Sequence, residues 1–142
     1  YIGIFGAVSL FTVNIIFMAV KTYNNFKIVK DLKIAAEISL ERMSREIRLA
    51  NDIDISRSVL DASPGKIYLN TVNFDTGSSK TIEFFASNGA LIVVQNGLSQ
   101  EYLTSSSTEV TNLVFREIVS STTSKAIKIE MELRAKKSGF ET

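Results

Sequence analysis

YIGIFGAVSLFTVNIIFMAVKTYNNFKIVKDLKIAAEISLERMSREIRLAN, residues 1–51, decides how this chain is built. The first twenty residues carry no charge, and after Gly6 no glycine or proline interrupts the stretch. Charge arrives at Lys21, yet helix-forming sequence runs on to Ala50. A helix of about 50 residues is roughly 75 Å long at 1.5 Å per residue. A bilayer needs only about 20 apolar residues to be crossed. The rod is therefore longer than a membrane span, and too apolar at one end to stand in water alone. That end calls for lipid, a partner or copies of itself.

Small residues punctuate the apolar run at Gly3, Gly6, Ala7, Ser9 and Ala19. They would let helix backbones approach closely, or they reflect the ordinary glycine content of membrane helices. Asn14 places an amide near the apolar centre, where it needs a partner in a dry setting. A neighbouring helix or a backbone carbonyl could supply one.

From Phe26 the pattern becomes amphipathic. Val29, Leu32, Ala36, Leu40, Met43, Ile47 and Ala50 recur every three or four residues, which is one face of a helix. Lys27, Lys30, Lys33, Glu37, Glu41, Arg45 and Arg48 hold the other. Glu41 with Arg45, and Arg42 with Glu46, are opposed charges four apart, each pair contributing a few tenths of a kcal/mol. The stripe is short for a coiled-coil seam and predicts packing on the domain that follows.

After Asn51 the pattern changes. Asn51-Asp52-Ile53-Asp54 ends the helix, and Ser63-Pro64-Gly65 signals a turn. Strands are predicted at Lys66–Val72, Lys80–Ala86, Leu91–Gln95, Val110–Ile118 and Ala126–Lys136. Asp75-Thr76-Gly77-Ser78, Asn88-Gly89 and Asn96-Gly97 separate the first of these. In the last strand Ile127, Ile129, Met131 and Leu133 alternate with Lys128, Glu130, Glu132 and Arg134. One face is therefore buried and one solvated. The helix stripe is the long apolar surface able to cover the buried face, which predicts an α+β fold with a helix on an antiparallel sheet. Thr104–Thr108 and Ser120–Ser124 read as loops, and Ser138–Thr142 as the start of a further strand.

Composition excludes several functions. Sixteen basic and fifteen acidic residues give a net charge of +1, which is no nucleic-acid footprint. Cysteine and histidine are absent, so zinc sites, disulfides and the commonest general base are excluded. No phosphate-binding G-x-x-x-x-G-K-[ST] loop occurs, and Gly3 and Gly6 lie in an apolar run. Asp52 and Asp54 could approach a calcium ion, but a solvated turn at a helix end is the simpler reading. Glu130 and Glu132 share a face with Lys128 and Arg134. No enzyme, cofactor or metal is expected. The apolar run also lacks the basic start and small-residue cleavage site of a secretory signal.

A long helix, apolar then amphipathic, followed by a small antiparallel sheet resembles type IV pilins and type II secretion pseudopilins. YIGIFGAV resembles the family's apolar segment, isoleucine-rich and broken by small residues. LERMSREIRLAN, Leu40–Asn51, and EYLTSSSTEVTNLVF, Glu101–Phe115, look like the corresponding parts of minor pilins and J-type pseudopilins. The resemblance implies a pilin-like α+β fold, with residues 1–25 as a membrane or filament-core helix. Residues 26–142 would form a head, with helix 26–50 and a sheet within 66–136. Gly3, Gly6, Ala7, Phe11 and Asn14 would pack helix to helix in a filament core. Val29, Leu32, Ala36, Leu40, Met43 and Ile47 would pack the helix on the sheet.

The implied function is that of a structural subunit of an extracellular, cell-surface filament, anchored in the inner membrane before assembly. Implied partners are copies of the chain, related pilins, the prepilin peptidase and the pilus assembly machinery. Two alternatives stay open: a single-pass membrane protein with a small extracytoplasmic sensor domain, and a pseudopilin of a type II secretion system. The chain departs from the family in two places. The family's early glutamate has no match here: the favoured expectation places it upstream of Tyr1, and the alternative takes Tyr1 as the first residue with Phe5 in the glutamate's place. The helix-disturbing proline of many pilins is missing from the apolar half, where Asn14 stands instead. Lys21, Lys27, Lys30 and Lys33 follow the apolar run, and the positive-inside rule would draw them to the cytoplasm. The pilin reading therefore expects a basic leader that outweighs them.

Overall fold

One helix, α1, runs without a break from Ile2 to Leu49 in the computed structural model. The structure describes residues 2–73, 76–121 and 124–136, and of these it leaves undescribed the side chains of 2, 4–10, 119–121 and 124–125. The expected single rod is present, with no crossing of two helices near Lys21–Asn25. Its last turn ends against the sheet: Thr71 Oγ1 donates to the Leu49 carbonyl at 3.1 Å, and the Asn51 amide to the Asn70 carbonyl at 2.8 Å. Carbonyls that a helix end leaves unpaired are thus partly taken up by the next layer.

Seven strands follow among the described residues: β1 Asp52–Ile53, β2 Lys66–Val72, β3 Ser79–Ser87, β4 Ala90–Gln95, β5 Ser99–Tyr102, β6 Thr108–Ser121 and β7 Ser124–Ala135. The expectation of a single sheet is corrected. β1 to β5 form an antiparallel meander in chain order, and β6 with β7 forms a separate two-stranded ribbon. The ribbon lies over the meander: β6 touches β2, β3 and β4, while α1 packs chiefly on β7 and touches β2. The fold is α+β, with one long N-terminal helix and antiparallel sheets. The proposed further strand at Ser138–Thr142 lies outside the described residues, as do Tyr1 and Asp75.

Turn chemistry sets the meander's register. Asn88 and Gly89 both have positive φ, 51° and 73°, and so do Asn96 and Gly97, 53° and 69°. Tight hairpins whose twist matches the flanking strands require this conformation. Gly89 has a second constraint. Its carbonyl accepts from the Val110 amide at 2.8 Å, and a Cβ there would stand 2.8 Å from Glu109 Cγ. Gly65 is held similarly: its amide donates to the Leu113 carbonyl at 2.7 Å, and a Cβ would meet that oxygen at 2.8 Å. Both glycines let the meander's loops reach the edge of β6.

The core joins the three parts. Ile67 and Leu69 of β2, Ile82 and Phe84 of β3, and Leu91 and Val93 of β4 meet Leu113 and Phe115 of β6 and Met43 of α1. Full burial of such side chains contributes about 1.5–3 kcal/mol each. In β6 the buried positions are Thr108 and Val110, then Leu113, Val114 and Phe115, with Leu113 and Phe115 the deepest. The change from even to odd comes at an irregularity in register between Val110 and Asn112, a bulge at Thr111. Thr111 Oγ1 donates to the Glu132 carbonyl at 3.3 Å.

The helix stripe is rotated from its expected line. Met43 is fully buried, Leu32, Ala36 and Ile47 are half-buried, and Ala50 packs on the core. Leu40 is 37% exposed and Val29 63%, whereas Ser39 is fully buried. At about 100° per residue from Leu32, Ser39 falls near −20° and Met43 near +20°, but Leu40 near +80°. Position 39 lies closer to the centre of the contact than position 40, although its side chain is polar. Val29 falls near +60°, on the same side of the contact as Leu40.

Candidate functional site

Among the described residues, the apolar part of α1 beyond the head is a surface left uncovered. Ile15, Ile16, Phe17 and Met18 are consecutive and 64%, 57%, 70% and 75% exposed. Successive helical residues point about 100° apart, so these four put apolar surface on every side of the rod. Phe11, Val13, Val20, Tyr23 and Phe26 continue it, all exposed. A helix apolar all round belongs in a core or a membrane.

The residues expected to pack helix to helix fall along this part. Gly3 is exposed, and a Cβ there would meet nothing within 4 Å. Phe11 is 73% exposed. Asn14 lies on the exposed rod and has an interaction within the chain. Gly6 and Ala7 belong to the helix, but their surroundings lie outside the described residues. Among the described residues, no helix is long and apolar enough to cross a membrane; Ile4–Leu10, within the uncharged run, are not described at side-chain level.

The head begins where the helix meets the ribbon. A groove of about 310 Å³ there is lined by Ile28 and Leu32 of α1 and by Thr108 and Ala135 of the ribbon. Further along, Ile47 and Ala50 face Ile127 and Ile129 across a second groove. Both are seams between packed elements. Asp31, Ser107 and Lys136 also line the first, and Ser44 and Arg48 the second.

Charged side chains on the head pair with one another. Arg116 Nε is 3.1 Å from Glu130 Oε2, Lys128 Nζ 2.8 Å from Glu130 Oε1, and Arg134 Nη2 2.8 Å from Glu109 Oε2. Hydrogen bonds from Lys128, then Arg116, hold the Glu130 carboxyl below its ordinary range, and one from Arg134 does the same for Glu109. Asp54 is lowered chiefly by the Ser56 hydroxyl, which donates to Oδ1 at 2.5 Å. Its second oxygen lies 3.7 Å from Arg57, whose guanidinium also reaches the Tyr68 hydroxyl at 2.9 Å. The carboxylates at Asp54 and Glu130 thus hold protein cations. No group of three or more candidate metal ligands occurs among the described residues.

On the helix, Arg42 Nε lies 3.1 Å from Glu46 Oε1 in a geometry too bent for a hydrogen bond. The expected Glu41–Arg45 pair is absent among the described residues, and Lys33–Glu37 forms instead at 3.7 Å. Two features were missed at the sequence level. Ser39 lies on the packing stripe, buried, with an Oγ that has no partner. Ile34 and Ile38 are 43% and 54% exposed among the charges. Helical angles alone could have found both.

No family model matches this chain, and no curated protein or solved structure shows significant similarity to it.

Proposed function

We propose that this chain is a structural subunit of a type IV pilus-like extracellular filament. The observation that carries the reading is a single helix with two different fates. Its second half packs into a head built on Met43, while Ile15–Met18 show apolar side chains on all sides. Burying the first half in lipid anchors the subunit in the inner membrane. Burying it against copies of itself builds a filament core with heads outside. From lipid, the gain on assembly is helix packing and polar pairing, because lipid tails are already apolar. Copies of the chain, and by resemblance the prepilin peptidase and the pilus assembly machinery, are the partners of this reading.

Electron microscopy of material sheared from cells that make the protein, with mass spectrometry of that material, tests it. Thin filaments containing this chain are the expected result. A protein found only in the membrane fraction, with no filaments, would favour a single-pass membrane protein. Short filaments confined to a secretion apparatus would favour a pseudopilin.

A further inference from the structure

The chain's basic excess is not spread evenly. Residues 21–33 hold Lys21, Lys27, Lys30 and Lys33 against one acid, Asp31, while the whole chain has 16 basic and 15 acidic residues. The remainder is therefore net acidic, and positive charge gathers where the uncharged run ends at Val20. Further along the helix the signs balance, with Glu37, Glu41 and Glu46 among Arg42, Arg45 and Arg48. All four lysines are exposed. Lys33 lies 3.7 Å from Glu37, but among the described residues Lys21, Lys27 and Lys30 make no ion pair. Tyr23 and Phe26, between these lysines, are 70% and 71% exposed. At about 100° per residue, Tyr23, Phe26, Lys27 and Lys30 fall on the side of α1 away from Leu32, and Lys21 on the other. On the head side, Lys136 lines the groove with Ile28 and Leu32 and adds a further exposed cation there.

We infer that this belt of lysines and aromatic rings seats on the anionic headgroups of a lipid bilayer. The inference rests on the membrane-anchored stage of the proposed function. The twenty residues before Lys21 make about 30 Å of helix, the thickness of a bilayer's hydrocarbon core. With that run in the hydrocarbon, Tyr23 lies about 5 Å beyond Val20. That is the headgroup level, where an aromatic ring with one wet end is at home. Lys27 and Lys30 stand about 10 and 15 Å beyond Val20, and their aliphatic stems can reach back while the ammonium groups meet phosphates. A zwitterionic headgroup has no net charge to set against three unpaired lysines. An anionic one has, and each lysine near such a surface is worth about a fivefold gain in binding.

The test uses the full chain reconstituted in phosphatidylcholine bilayers, with spin-labelled phosphatidylglycerol or spin-labelled phosphatidylcholine as probe. Electron spin resonance reads how strongly each probe associates with the protein. At low salt phosphatidylglycerol should be preferred about fivefold or more, and added salt should weaken the preference. Lys21→Gln with Lys27→Gln should remove most of it. Arg45→Gln with Arg48→Gln, the same loss of charge about 30 Å or more along the rod, should leave it unchanged. The chain has no tryptophan, so Tyr23→Trp is a single reporter of depth, and bromine near the lipid headgroups should quench it more than bromine at the acyl-chain ends. Equal association of the two probes, an equal loss in both double variants, or stronger quenching from the chain ends would overturn the inference. No lipid preference, together with filaments lost in the Lys21 and Lys27 variant, would give these lysines to a neighbouring copy instead. A full chain that floats with neither kind of vesicle would sink the membrane-anchored reading itself, and the belt with it.

Discussion

Phe17 and Met43 belong to the same helix and are both large and apolar, yet Phe17 is 70% exposed and Met43 fully buried. Nothing in the backbone separates them. The difference is what lies opposite: the core formed by both sheets at Met43, and no other element of the described residues at Phe17. Local sequence can make a long rod, but only a partner surface decides which of its apolar residues stabilise the fold. The second half of α1 is used up in folding this chain. In the proposed filament subunit, the first half is left for assembly.

The largest expected effect comes from charging the free half. Ala7→Arg should stop filament formation while the head keeps its β signal, because an arginine in an apolar core costs several kcal/mol. Normal filaments by electron microscopy would mean that position 7 is not in such a core. In the bound half, Phe115→Ala should destabilise the head by about 3–5 kcal/mol and Met43→Ala by about 2–5 kcal/mol, read by chemical denaturation. If Met43→Ala proved neutral, the helix would contribute little to the head and the comparison would fail.

A finer contrast lies between neighbours on the helix. Leu40→Ala should cost less than about 1 kcal/mol, since the side chain is 37% exposed. Ser39→Ala should be neutral or stabilising, because it removes a buried hydroxyl with no partner. A costly Ser39→Ala would show that the hydroxyl has a partner, such as a bound water.

The coarse plan was legible in the sequence. The uncharged run and the absence of breakers after Gly6 set one long helix, and the range read for Lys66–Val72 is that of β2. Asn88-Gly89 and Asn96-Gly97 marked their turns because few other residues accept positive φ. What escaped has physical reasons. β1 has two residues, and β5 is Ser99-Gln100-Glu101-Tyr102, polar, short and exposed throughout. Such edges have no apolar period to read. The split into two sheets depends on long-range pairing, which no local pattern records. Ser39 escaped because polarity hid a position that helical geometry placed at the contact.

The smallest effects are electrostatic. Glu109, Glu130 and Asp54 are each held below their ordinary values of 4.5, 4.5 and 3.8. Their native forms bind protons less readily than the unfolded chain does. They stabilise the head fully above those ordinary values and lose that contribution as pH falls through the lower native ones. The head's melting temperature should therefore fall modestly below about pH 4.5, and Glu109→Gln should flatten the fall. The free half of the helix, Ile2–Val20, has no titratable side chain, so this pH effect belongs to the head alone.

The most direct test divides the helix at its change of role. A chain that starts at Tyr23 keeps Met43 and both sheets and loses the apolar run. By analytical ultracentrifugation and circular dichroism it should be a folded, β-containing monomer, and electron microscopy should show no filaments where the full chain forms them. If the shortened chain still assembled, or if it could not fold, the division of one helix into a folding half and an assembly half would be wrong.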